Sequence, residues 1–167
     1  MITDLKIRDT RPEELDKVGL MMADAYQQYE PIIGKRMWEG YRSDIVNVRS
    51  RLAGSELIVA ELDGEFVGAV TLYTDISHME GGWPQGWAGI RLLAVSPKQR
   101  GKGIAHALMP ECAKRAKARG LTAIGLHTAE FMKDAKQMYE NMGFVRVPQY
   151  DHHPVPKLTI MAYRLDI

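Results

Sequence analysis

The spacing of apolar positions changes character twice along this 167-residue chain. A short alternating run, Leu5-Lys6-Ile7-Arg8, predicts a strand. Thr10 as N-cap, Pro12 in the first turn and Glu13 at capping-box spacing then predict a helix start. Leu15, Val18, Met22, Ala25 and Tyr29 follow at three- and four-residue steps and make one apolar face, which Pro31 and Gly34 break. A second helix is expected from Met37 to about Leu52, closed by Gly54.

From Leu57 the period becomes that of strands. The runs Leu57 to Leu62 and Glu65 to Tyr73 flank Asp63-Gly64, the pattern of a β-hairpin. A loop rich in Gly, Trp and Pro (Gly81 to Gly86) leads to a third run, Ile90 to Val95, stopped by Ser96-Pro97. A helix with Ile104, Ala105, Leu108, Cys112 and Ala116 on one stripe comes next, ended by Gly120 and expected to kink at Pro110. A strand (Thr122 to Thr128), a helix (about Lys133 to Met142), a strand (Phe144 to Val147), a loop with Pro and His, and a last strand (Leu158 to Leu165) complete the order. Hairpins followed by strand–helix–strand–helix–strand predict a mixed α/β sheet.

Composition narrows the class. A chain of 18.8 kDa without internal repeat or low-complexity linker is expected to form one domain over residues 1–167. Hydrophobic residues at 46% and charged residues at 26% exclude a disordered tail, a collagen-like rod and a coiled coil. The net charge of +1 supplies no global field for a polyanion, and the basic run Lys114, Arg115, Lys117 and Arg119 has no interleaved aromatics, so no nucleic-acid partner is expected. The lone Cys112 can form no internal disulfide. No run approaches the ~18 apolar residues of a membrane span. Met1-Ile2-Thr3-Asp4 lacks the regions of a signal peptide, so a cytoplasmic chain is expected.

The most informative stretch runs from Val95 to Ala105, where a strand ends and a glycine turn opens a helix. The first N–H groups of a helix lack internal partners and, with the macrodipole, form an anion site. Arg100 and Lys102 add positive charge. The spacing Gly101-Lys102-Gly103 fails the P-loop pattern, and a dinucleotide fingerprint needs a glycine where His106 stands. Arg100, Gly103 and Ala105 fit Arg/Gln-x-x-Gly-x-Gly/Ala. This pattern resembles motif A of the GNAT superfamily of N-acetyltransferases. Leu92 to Pro97 looks like that family's fourth strand, and Tyr139-Glu140-Asn141-Met142-Gly143-Phe144 looks like its Tyr-x-x-x-Gly-Phe segment.

The resemblance implies a mixed, mostly antiparallel sheet flanked by helices, with a splayed central strand pair. It also implies acetyl transfer from acetyl-coenzyme A to a primary amine, directly within a ternary complex. Carried over residue by residue, it puts the pyrophosphate on Arg100, Gly101, Lys102, Gly103, Ile104 and Ala105. The backbone of Leu93 and Val95 would pair with the pantetheine arm, and the Val95 N–H would face the thioester oxygen. Tyr139 would protonate the departing thiolate, which suits a phenol of pKa ~10 and a thiol near ~8.5. Homodimers are common in such a family.

An amine of pKa ~10.4 is only about 0.04% neutral at pH 7, so a base is needed. Many relatives carry a glutamate where this chain has Gly89, and Glu80, Glu130, His78 and His127 remain as candidates. Met132 departs from a position that often holds asparagine in relatives. Acceptor specificity falls to the variable loops, which carry Tyr29, Glu30, Trp38, Trp83, Trp87, Tyr150, His152 and His153. Aromatics with an acid suit an organic cation. Adjacent His152 and His153 lack a third ligand, so no metal is expected. Cys112 on the buried stripe argues against an acetyl-cysteine intermediate. The rival reading is a non-catalytic module that senses an acyl-coenzyme A. The acceptor, small amine or peptide amine, and the acyl chain length stay open.

Overall fold

Two-residue alternation and a left-handed turn build the first part of the sheet. The computed structural model describes residues 4–167, so Met1, Ile2 and Thr3 of the segment read as lacking an export signal lie outside it. Strand β1 (Lys6–Asp9) pairs antiparallel with β2 (Ser55–Leu62), and β2 turns through Asp63 (φ 51°) and Gly64 (φ 80°) into β3 (Glu65–Tyr73). Two consecutive positive φ values match the twist of the flanking strands, as the Asp-Gly signal predicts. Strand β4 (Trp87–Val95) follows β3 in the strand order.

The chain divides into two compact units: residues 4–72 with 92–111, and residues 73–91 with 112–167. The first unit holds β1, β2, most of β3 and the end of β4. Its helices are α1 (Leu15–Tyr26), α2 (Glu30–Ile33), α3 (Lys35–Val46) and the first half of α4 (Ile104–Ala118). Leu15, Val18, Met22 and Ala25 of α1 join Trp38, Ile45, Leu57, Val59, Ala69, Leu92 and Ala94 in one core cluster. The expected apolar stripe is therefore buried against the sheet. Gly68 of β3 lets α4 close in, because a Cβ there would lie 2.7 Å from Ile104 Cγ2.

The second unit holds the start of β4, then β5 (Ala123–Ala129), α5 (Lys133–Asn141), β6 (Val145–Arg146), β7 (His152–Val155) and β8 (Leu158–Asp166). Strand β5 pairs parallel with β4 and antiparallel with β8, which carries β6 on its other side and also pairs with β7. The result is an open, mostly antiparallel eight-strand sheet in a mixed α/β fold, with five helices among the described residues. The β4–β5 ladder is short. It covers Trp87, Ala88 and Gly89 against Ala123, Ile124 and Gly125, and then stops.

Four local expectations are corrected. Thr10 does not cap a helix: its N–H and hydroxyl both bond the Leu57 carbonyl (3.0 and 2.9 Å), while Glu14 accepts from the Arg11 N–H (2.8 Å). Pro31 sits in the first turn of α2, where its missing donor costs nothing, and Gly34 (φ 89°) makes the break. The second helix begins at Lys35, ends at Val46, and gives way to 3-10 turns over Val48–Gly54. The loop with Pro and His contains strand β7, whose pairing with β8 is irregular between His152 and Val155.

The packing around two residues can be tested by substitution. Arg8 bonds Glu14 through both terminal guanidinium nitrogens, Nη1 and Nη2 (2.8 and 2.9 Å), and Nη2 also reaches Glu61 (2.6 Å). The Arg8 guanidinium holds the Glu14 carboxyl down from 4.5 to about 2. A depressed carboxyl stabilises the fold fully above its unfolded pKa, and that contribution fades as the pH falls toward the folded value. The stability gap between wild type and Glu14→Gln in urea unfolding should hold at neutral pH and shrink between about 4.5 and about 2; a gap independent of pH would contradict this. Gly89 is closed in by Ile76, whose Cγ2 would overlap a Cβ placed there. Gly89→Ala should cost about 1–3 kcal/mol, a fall in Tm of roughly 3–10 °C. Adding Ile76→Ala should recover part of that loss.

Candidate active site

Within the first unit, the stretch from β4 into α4 has the geometry an anion needs. Pro97–Gln99 form a single 3-10 turn, with the Gln99 N–H on the Ser96 carbonyl (2.8 Å). Gly101 (φ 78°) and Gly103 (φ 81°) then take left-handed conformations that other residues adopt only with strain. A Cβ on either glycine would meet no protein atom within 4 Å, so the space beside the turn is open. The Ala107 N–H bonds the Gly103 carbonyl (3.0 Å), which makes Gly103 the residue before the first helical turn. The N–H groups of Ile104, Ala105 and His106 thus have no carbonyl one turn earlier. Ile104 and Ala105 bury their side chains and seat that turn, while Arg100, Gly101, Lys102 and Gly103 are exposed. An exposed, left-handed, open turn at a helix start fits a pyrophosphate.

The side chains of this turn are already engaged. Arg100 donates to the Gln28 side chain and to the Ala25 carbonyl (2.6 Å), so it ties the turn to the end of α1. Neither partner is an acid, and the positive charge stays uncompensated by them. Lys102 bonds the Gln99 side chain (2.9 Å). On β4, Leu92 has φ 54°, an uncommon value for a branched aliphatic residue. Such strain in mid-strand re-aims the neighbouring backbone. Leu93 and Val95, the residues expected on the pantetheine arm, come directly after it. The Tyr26 hydroxyl donates to the Leu93 carbonyl (2.9 Å), leaving that oxygen its second lone pair. Tyr26 went unnoticed in the sequence because its partner lies 67 residues away.

Tyr139 belongs to the second unit, on α5, and is buried. Gly143 (φ 98°) ends the helix and lets Phe144 fold back, its N–H on the Tyr139 carbonyl (3.0 Å). The two rings meet edge to face with centroids 5.6 Å apart. The Tyr-x-x-x-Gly-Phe spacing thus encodes one helix end that locks the tyrosine. Met132 stands before α5 without a side-chain cap, and its sulfur takes a 3.8 Å bond from Thr128.

The base candidates separate clearly. His78, Glu80 and Glu130 are exposed. His127 is half-buried, with Nε2 2.7 Å from the Tyr150 carbonyl, and burial lowers its pKa. At Gly89, Ile76 fills the space a side chain would need. Of the loop aromatics, Tyr29 and Trp38 are buried in the first unit, where Trp38 belongs to the core cluster. Glu30 is half-buried and accepts from Gln27. In the second unit, Trp83 lies against Trp87 (5.9 Å), His127 (4.8 Å) and Tyr150 (5.2 Å), forming a box. His152 approaches Glu80 (3.7 Å) and His153 approaches Thr159 (3.4 Å), so the adjacent histidines take different partners. Sequence reasoning missed the clasp of the Tyr150 turn. Arg146 grips Asp151 through two bonds (2.6 and 2.8 Å) and reaches the Ala162 carbonyl (2.8 Å), and the Ala162 N–H returns to Asp151 (2.8 Å).

Three comparisons bear on this arrangement. The model of the acetyltransferase (GNAT) family matches residues 20–144. N-acetylaspartate synthetase of Homo sapiens is 32% identical over 124 residues, 74% of this chain and 39% of that protein. Its counterpart in Xenopus tropicalis is 32% identical over 117 residues, 70% of this chain and 41% of that protein. The chain therefore spans about two fifths of these relatives. The crystal structure of the PaiA N-acetyltransferase of Thermoplasma acidophilum with coenzyme A superposes with a TM-score of 0.76 at 17% identity, covering 98% of this chain and 100% of that one. An acetyltransferase from Thermus thermophilus gives 0.71 at 17% identity, covering 99% of each. Both structures share the fold described above. With a family match through β4, the glycine turn and α5, the chain belongs to the acetyltransferase (GNAT) family, whose enzymes draw their acyl group from acetyl-coenzyme A.

Proposed function

We propose that this chain transfers an acetyl group from acetyl-coenzyme A directly to a primary amine, both bound at once, with residues 1–167 acting as one domain in the cytoplasm. The observation that carries the reading is the glycine turn: left-handed Gly101 and Gly103, open space beside them, and the unpartnered start of α4. The coenzyme supplies an activated acyl group as a thioester. Arg100 through Ala105 hold its pyrophosphate, chiefly through backbone N–H groups, and Leu93 and Val95 align the arm. The Val95 N–H faces the thioester oxygen and steadies the charge that gathers there. Tyr139 gives its proton to the leaving sulfur.

Direct transfer is supported by Cys112, the chain's one cysteine, which is fully buried, so that its thiol is out of reach of a bound thioester. No helix among the described residues is long and apolar enough to cross a membrane. The likeness to proteins named N-acetylaspartate synthetase makes aspartate the first acceptor to try, followed by other small amines and peptide N-termini.

Thiol release from acetyl-coenzyme A should depend on an added amine, whereas a sensory module would bind the coenzyme and release none. Tyr139→Phe should lower kcat by roughly 10²-fold while leaving coenzyme affinity within about twofold, since the backbone contacts to the pyrophosphate remain. An unchanged kcat would remove the acid role from Tyr139.

A further inference from the structure

Strand β5 carries a histidine, His127, that has no part in the pyrophosphate, oxyanion or acid roles above. Side chains alternate along this strand. A Cβ on Gly125 would meet Ile76 and Trp83 (both 2.9 Å), and the His127 ring stacks on Trp83 (4.8 Å between centroids, 42°). Gly125 and His127 therefore share the face that carries the aromatic box. The β4–β5 ladder ends at the Gly89–Gly125 rung. His127 stands two residues beyond it, on a stretch of β5 that has left β4.

Two separate segments, the Tyr150 turn and the Gly81–Trp83 loop, fix this ring. Its Nε2 lies 2.7 Å from the Tyr150 carbonyl, which can only accept, so Nε2 carries the hydrogen. In the neutral ring Nδ1 then holds the lone pair. Trp83 covers one side. Gly81 (φ 107°) completes the enclosure, because a Cβ there would lie 2.5 Å from the Tyr150 oxygen and 2.9 Å from His127 Cε1. The turn that bears Tyr150 is itself anchored by the Arg146–Asp151 clasp. Such support orients a ring more tightly than packing alone requires.

The balance of influences on the ring favours its neutral form. Burial is the largest influence and lowers the pKa, with Arg91 of β4 and His152 of β7 acting the same way. The Tyr150 carbonyl and Asp151 oppose them. Glu80, from the loop after β3, is exposed and faces His152 rather than His127.

We propose that His127 is the general base of the transfer, acting through Nδ1 directly or across one water; this rests on the acetyl-transfer reading above. One proton of the acceptor's R–NH3+ passes to Nδ1. The freed nitrogen lone pair forms the C–N bond to the acetyl carbon, and the C–S bond breaks with its electron pair on sulfur. Tyr139 protonates that sulfur and recovers a proton as the nitrogen loses its second one. The imidazolium returns its proton to water, so amide, free thiol and one H+ leave the site.

Nitrogen-15 NMR of the protein without coenzyme, with His127 assigned by its loss in His127→Gln, should show the Nε2–H tautomer at pH 7. Its titration midpoint should lie below ~6.5. A ring protonated on Nδ1 in its neutral form would overturn the proposal. Gln keeps a donor for the Tyr150 carbonyl, and His127→Asn serves as second variant should Gln unfold. At pH 7 the variant should lose roughly 10²-fold in kcat/KM with coenzyme affinity within about twofold. The inflection below ~6.5 should vanish from its pH profile, leaving a rise that follows the neutral acceptor, and the deficit should narrow toward pH ~9.5. Turnover within about threefold of wild type, or an inflection that persists below ~6.5 in the variant, would overturn the role of His127 alone. A wild-type chain that binds acetyl-coenzyme A but acetylates no amine would overturn the transfer reading and this role with it.

Discussion

Strand β4 has two obligations, and its short ladder with β5 is the constraint from which the site follows. Three residues, Trp87, Ala88 and Gly89, pair with β5, and the pairing then ends. The two glycines at that last rung leave space that Ile76 fills from above, with Trp83 closing over Gly125. A strand that stops pairing exposes backbone donors and acceptors that must be satisfied otherwise. Leu92 takes a left-handed conformation just past this point, and the Tyr26 hydroxyl donates to the Leu93 carbonyl. In the proposed reading, the remaining backbone groups pair with an extended, amide-bearing arm as an added strand does.

The division of labour between backbone and side chain explains what could be read beforehand. A donor site of the proposed kind is built from main-chain N–H groups, and those require glycines at fixed offsets from a strand and a helix. Gly101 and Gly103 are such glycines, and Asp63-Gly64 is the same kind of signal for the hairpin. Left-handed φ is a local demand with few residues able to meet it. Gly143 likewise made the lock between Tyr139 and Phe144 legible as a six-residue pattern.

What stayed hidden is held by partners distant in sequence. Thr10 looks like a cap until β2 offers it the Leu57 carbonyl, 47 residues on. Strand β7 is invisible because His152 to Val155 lack alternation and gain their order from β8. The Arg146–Asp151 clasp and the bond from His127 to Tyr150 join residues that no period connects. Gly89 is a different case: the residue is plain in the sequence, but only the packing of Ile76 shows what a glutamate there would have to displace. Side chains decide the acceptor, and for that reason the chain declares its donor more openly than its acceptor.

Everything proposed for the donor depends on the glycine turn before α4 holding the pyrophosphate of acetyl-coenzyme A. Thermal unfolding with and without acetyl-coenzyme A, alongside NAD and ATP at the same concentration, tests it most directly. At about 100 times its dissociation constant a ligand adds about 2.7 kcal/mol, a rise in Tm of roughly 5–10 °C for a domain of this size. That rise is expected with acetyl-coenzyme A, and little or none with NAD or ATP. No rise with acetyl-coenzyme A, or an equal rise with all three, would contradict it.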